Sequence, residues 1–271
     1  HVTGVQTCAL PIFMNKNLFS SAAKNTKINH VVVLAPDHSG LLFGIGLPTY
    51  THCQTPLGPL TIDPVAMGLL SQLPFAKAAE QAHNKEHSIE IQLPWLQKTI
   101  SSFTLTPILV GNIDQHDVTQ IAKELKKIIT DRTLVVVTSD FVHHGPSYGY
   151  QVFEEHISNY VRALDSAVIE TILTPNKKSF DELLERTQAT VCGQNPLRIL
   201  LALLQNNLLG TVEGRLCSYY TSAHLKQARN KTVTINTSEL LGDLPDEEAQ
   251  ESVSYAAMAF CAQRVADLSN E

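Results

Sequence analysis

Four stretches carry side chains able to bind a metal or move a proton: Asp37-His38, Glu86-His87, Asp140 with His143 and His144, and Cys192. Imidazole, carboxylate and thiolate drawn from separate segments form the usual donor set of mid-row transition metals. The densest stretch, Thr138-Ser139-Asp140-Phe141-Val142-His143-His144-Gly145, follows the apolar run Leu134-Val135-Val136-Val137. That run reads as a buried strand, and ligands in open α/β sheets sit beyond the carboxyl ends of strands. Asp140 and His143 are therefore the first candidates for a site; the bland alternative is a capping Asp and a packed His.

The other stretches weigh out in the same way. Asp37-His38 ends a strand in a turn rich in Pro, Ser and Gly, where a lone His more often serves the turn itself. Glu86-His87 also suits a helix start, since an acid there favours the dipole. Cys192 resembles a small buried hydrophobe, yet it precedes a helix start, where the dipole favours the thiolate. His144 reads as structural or as a support behind the site residues, and Cys217 and Cys261 read as core. Ser139, Asp140 and His143 contain the residue types of a hydrolase triad, but no GxSxG elbow accompanies them.

The elements that must position these residues alternate between strand and helix. Strands are expected over 28–34, 104–110, 133–137 and 216–221, with a strand or hairpin arm at 231–236. Residues 41–60 read as loop. Asp63-Pro64 opens a short helix to Leu70. Ile89, Leu93 and Leu96 share a helical face that Pro94 should kink or break. Val118, Ile121, Leu125 and Ile128 mark an amphipathic helix, and 154–173 reads as a long one. Ser179-x-x-Glu182 is a capping-box signature. Asn195 as N-cap with Pro196 at the first helical position starts the next helix. Residues 243–251 read as an acidic loop, and Val253 to Leu268 as a closing helix with Tyr255, Ala256, Ala259 and Val265 inward. This alternation predicts an α/β layered sheet.

Composition narrows the classes. The 271 residues are 44% hydrophobic and 17% charged, which suits one substantial globular core. A net charge of -6 and a pI near 6.0 argue against a nucleic-acid-binding face. The apolar run 197–204 is far short of the ~20 residues a membrane span needs. Cys8, Cys53, Cys192, Cys217 and Cys261 are odd in number and widely spaced, with no CxxC. That pattern points away from a disulfide framework or zinc knuckle and towards a reducing, cytoplasmic setting. His1 to Phe13 fits no amphipathic pattern and has no basic start, so it reads as a non-native leader, with one domain over 14–271.

Five blocks in order resemble the Memo family, whose bacterial and archaeal members are called AmmeMemoRadiSam system protein B. They are Ala35-Pro36-Asp37-His38, Glu86-His87-Ser88-Ile89-Glu90-x-x-Leu93-Pro94, Ser139-Asp140-Phe141-x-His143-x-Gly145, Val191-Cys192-Gly193-x-x-Pro196 and Ser252-Val253-Ser254-Tyr255-Ala256-Ala257. The resemblance implies a single layered α/β domain with a central, mostly parallel sheet, related to the class III extradiol dioxygenases, nonheme iron enzymes that open catechol rings. It implies a pocket for iron or copper with a redox role, in which His38 and Cys192 are metal ligands and Asp140 and His143 line the cup. His87, Asp140 and His143 are then the candidate catalytic groups, with His87 or His143 as acid or base. A cysteine where a carboxylate is expected speaks against ring cleavage. The resemblance also implies a radical S-adenosylmethionine protein and an AMMECR1-like protein as partners. One departure is clear: the family's upstream Pro-His-Ala-Gly-Tyr motif, which supplies a further ligand, is missing. The expectation is an N-terminally truncated chain with weakened metal affinity. The alternative is a non-catalytic binding or adaptor protein with a vestigial pocket.

Overall fold

The computed structural model describes residues 28–205, 212–223 and 250–262. The chain opens with β1 (His30–Pro36), β2 (Ile45–Leu47), β3 (His52–Thr55) and β4 (Gly58–Thr61). Next come α1 (Pro64–Leu70), β5 (Ala76–Ala78), α2 (Glu80–Lys85), α3 (His87–Glu90) and α4 (Leu93–Thr99). β6 (Thr104–Val110), α5 (Gln115–Ile128), β7 (Thr133–Val137) and β8 (His143–His144) follow. The remainder is α6 (Ile157–Leu173), α7 (Lys177–Thr187), α8 (Gln194–Gln205), β9 (Val212–Thr221) and β10 (Ser252–Ala262).

β1 is the axis of a mixed sheet ordered β5-β2-β6-β1-β7. It pairs in parallel with β6 and β7, while β2 runs antiparallel to β6 and parallel to β5. All seven β1 residues are buried, as a parallel strand covered on both faces requires. Alternate side chains serve opposite layers. Val32 and Leu34 pack with Val118, Ile121 and Leu125 of α5 and Ile199 and Leu203 of α8. Val31 and Val33 meet Ile89 of α3, Leu93 and Leu96 of α4, and Leu60 of the β3–β4 hairpin. A second, antiparallel sheet ordered β8-β10-β9 shares a third core with α6 and α7, built around Phe141, Val161, Ile172, Phe180 and Tyr219. The fold is thus α/β, with a central sheet between helical layers.

Several expectations shift. The closing helix is instead strand β10, paired antiparallel with β9 from Ser254↔Thr221 to Ala262↔Val212. Its alanines favour a helix, but the unpaired edge of β9 gives it a ladder, and pairing overrides propensity. The loop 41–60 contains β2 and the β3–β4 hairpin. β7 is the edge of the sheet and only half-buried. Asn176, not Ser179, caps α7. α8 begins at Gln194, and Asn195 turns its amide to the Gly111 carbonyl at 2.7 Å. Cys217 is half-buried. The break at Pro94 holds: it separates α3 from α4 and sits in the first turn of α4. Expectations for 1–13, 231–236, most of 243–251, Val265 and the Cys261 side chain lie outside the described residues.

Candidate functional site

The parallel register sets the site. β1 and β7 end at the same edge, with Leu34 opposite Val137, so the loops that follow them are neighbours. The ladder continues briefly into both: the Thr138 N–H donates to the Leu34 carbonyl at 2.9 Å, and the Asp37 N–H donates to Val110 at 3.1 Å. Asp37 then folds the turn back on itself, its carboxylate accepting from Ser39 and from the Leu42 N–H. That turn presents His38.

Glu86 organises His38. Its Oε1 accepts from the N–H groups of His87 and Ser88 at 2.9 and 3.0 Å, and its Oε2 from the His38 N–H at 3.0 Å. The His38 ring places Nδ1 at 2.9 and 3.0 Å from the two oxygens. A carboxylate only accepts, so Nδ1 carries a proton and Nε2 is left for the other hydrogen-bond partner of the ring, the Cys192 side chain. The bonds to Cys192 and then Glu86 raise the His38 pKa to about 10 despite desolvation. Burial alone would raise that of Glu86, but the His38 ring and the N–H groups of His38 and Ser88 hold it down to about 2. His87 stacks on His38 with ring centroids 5.3 Å apart. Its Nε2 is buried and has no hydrogen-bond partner among the described residues.

The second half of the site comes from the loop after β7 and the turn before α8. The Asp140 N–H donates to Cys192 Sγ at 3.1 Å. The Gly193 N–H donates to Ser139 Oγ at 2.9 Å, and a Cβ at Gly193 would come within 2.5 Å of the Thr138 carbonyl oxygen. Only glycine permits that approach. His143 Nδ1 lies 2.9 Å from the Thr190 carbonyl and 3.0 Å from that of Phe141. Neither carbonyl can donate, so Nδ1 bears the proton and Nε2 is turned to Asp140 Oδ2, 3.7 Å away. Asp140 is 2% exposed. Tyr148 meets His143 edge-on.

The profile of the family described as "Memo-like protein" matches residues 14–238. The chain belongs to this family. It is 31% identical over 231 residues to a "MEMO1 family protein" of Archaeoglobus fulgidus, covering 84% of this chain and 75% of that one. A "MEMO1 family protein" of Thermococcus onnurineus is 31% identical over 213 residues, covering 74% and 72%. "Protein memo-1 homolog" of Caenorhabditis elegans is 29% identical over 230 residues, covering 81% of this chain. The chain spans 64% of that worm protein's length.

In this Memo-like chain His38 and Cys192 meet, His87 lies against His38, and Asp140 and His143 face each other beside the Cys192 sulfur. The hydrolase arrangement does not assemble: Ser139 Oγ donates to the Asp140 carbonyl and accepts from Gly193, and His143 Nδ1 is committed to carbonyls. His144 is fully buried, stacked on Phe153, as a structural residue would be. Two carboxylates beside the site carry more than the sequence showed. Glu86 belongs to a candidate stretch and also starts a helix, but its pairing with His38 was not foreseen. Asp165, fully buried on α6, was hidden inside a helical pattern. Its signal is the spacing Val161, Asp165, Val168, Ile172, which puts an acid on the apolar face.

Proposed function

We propose that this Memo-like protein holds iron or copper between His38 and Cys192 and serves a redox role there. The observation that supports the reading is the meeting of a carboxylate-oriented imidazole with a thiol from a segment 154 positions away. The donor chemistry fits such a metal, since mixed nitrogen and sulfur donors suit copper and iron. The buried, unpartnered Nε2 of His87 is the kind of atom a ligand in the cup would satisfy. Among the described residues, His38, Glu86 and His87 each bring a ligand-capable atom within 4.8 Å of the others. Glu86 is already saturated by four donors, so it acts by orienting His38 rather than by binding metal.

When bound, such a metal supplies one-electron chemistry and polarises an oxygen donor on a substrate. The protein's own groups do the rest. Glu86 fixes the orientation of the His38 ring through Nδ1. The Asp140 N–H and the His38 ring fix the sulfur. His87 Nε2, beside His38, accepts or returns a proton at the substrate, and His143 Nε2 with Asp140 forms a second proton-handling pair. The dioxygenase-like fold relationship and the radical S-adenosylmethionine and AMMECR1-like partners belong to this same proposal, resting on the sequence resemblance.

The test is metal uptake by the full chain after anaerobic loading with Fe(II) or Cu(I), read by elemental analysis and by sulfur-to-metal charge-transfer absorption. The expected result is near-stoichiometric uptake, weakened at least ~10-fold in His38→Ala and Cys192→Ser. No uptake, or uptake indifferent to both substitutions, overturns the reading and favours the adaptor alternative.

A further inference from the structure

We propose that Asp165 is a positioning residue that clamps the Asp140–His143 turn, and that gaining a proton loosens the clamp. This rests on the reading that Asp140 and His143 act as a pair. Asp165 Oδ1 accepts the Val142 N–H at 3.0 Å, and Oδ2 accepts the Tyr219 hydroxyl at 2.7 Å. The Ser254 hydroxyl is a third partner. Ser254 grips the same turn through its backbone, its carbonyl accepting from the Phe141 N–H at 2.9 Å and its N–H donating to Val142 at 3.0 Å. Phe141 and Val142 are 1% and 0% exposed, and they are the two residues between Asp140 and His143. The separation of that pair is therefore set by a helix on one side and a strand on the other.

The groups that act on the Asp165 carboxyl are few. The turn contributes His143, β9 contributes Tyr219, and the segment after Gly145 contributes Tyr150. Arg162, on α6 itself, acts on Tyr219. β10 offers the neutral Ser254 hydroxyl. The Val142 N–H can only donate, so a proton on Oδ1 weakens its acceptor, and a proton on Oδ2 competes with the donated Tyr219 hydroxyl and favours its turning to accept. Burial holds the carboxyl up at about 6 against these hydrogen bonds, so the change arrives near neutral pH.

The experiment follows the Val142 amide resonance, whose N–H donates to Asp165, in valine-labelled, metal-free full chain, assigned by its loss in Val142→Ile. In the wild type the resonance is expected to show an inflection near pH 6 that disappears in Asp165→Asn, which keeps an acceptor for Val142. Tyr219→Phe removes one donor from the carboxylate and should move that inflection upward by roughly one pH unit; it decides the matter alone if Asp165→Asn fails to fold. A merely structural role would displace the resonance without moving the pH of an inflection. A wild-type curve lacking that inflection, or curves unchanged in both variants, overturns the clamp. Failure of metal uptake in the wild type removes the metal reading and leaves this titration standing, so the two proposals fail separately.

Discussion

Glu86 and Asp165 are both buried carboxylates, 7% and 0% exposed, and they are driven in opposite directions. Glu86 is held down to about 2 and Asp165 pushed up to about 6. Burial opposes the charge in both cases. The difference lies in the donors. Glu86 receives three backbone N–H groups and an imidazole held in its charged form. Asp165 receives one backbone N–H and hydroxyls, which can reverse direction. Fixed donors and a cation outweigh desolvation; rotatable ones do not. The molecule therefore keeps one carboxylate, Glu86, charged down to about pH 2 in the corner beside His38, and one titratable carboxyl, Asp165, in the corner behind His143.

The sharpest way to break the comparison is Glu86→Ala. It strips three N–H groups of their acceptor and takes the carboxylate from His38, which keeps its bond to Cys192, at an expected cost of about 3–5 kcal/mol, read by denaturant unfolding. The His38 titration should fall below about 10 and stay above the ordinary imidazole range, because the bond to Cys192, the larger cause, remains; NMR follows it.

Asp165→Asn tests the opposite corner. The folded-state pKa of Asp165 lies above its unfolded value, so the native state binds the extra proton and stability falls as pH rises from about 4 to about 6. Relative to the variant, wild-type protein should lose roughly 3 kcal/mol across that window, since the difference between the two profiles isolates Asp165 from the buried histidines. Glu86 gives the mirror image: its contribution is intact above its unfolded pKa and is lost as pH falls towards about 2. His38 contributes below its unfolded pKa and loses that contribution as pH climbs through about 10. Acid and base unfolding curves of the wild type and Glu86→Gln separate these limbs.

Gly193→Ala probes the joint between the two corners. Its Cβ would strike Ser139 and Thr138, so a loss of about 1–3 kcal/mol is expected, with weaker metal uptake as Cys192 shifts from His38. Tyr219→Phe is the mildest change, costing about 1 kcal/mol for one hydrogen bond, measured by thermal unfolding at neutral pH.

The parts legible in the sequence are those where one physical signal dominates. β1 carries a continuous apolar run from Val31 to Ala35, α5 has a clean stripe, and Pro94 interrupts a helix because it lacks an N–H. His38, His87, Asp140, His143 and Cys192 were visible because each lies at an element end, and the folded chain gathers them at one edge. β10 was illegible because its alanines follow local propensity while its partner β9 is some thirty residues away. Asp165 and the pairing of Glu86 with His38 were illegible for a related reason: what a carboxylate does depends on who donates to it, and Val142, Tyr219 and His38 come from distant segments.

The shared register of β1 and β7 has a bearing on how this surface can vary. Residues added at the Ser39-Gly40 tip would spread into solvent and leave the grip of Glu86 on His38 intact. A single residue added within Val135–Val137 would slide Asp140 and His143 along the sheet by about 3.3 Å and turn every later side chain to the wrong layer. Diversity should therefore collect at the outer bends, while the roots tolerate neither gain nor loss of a position.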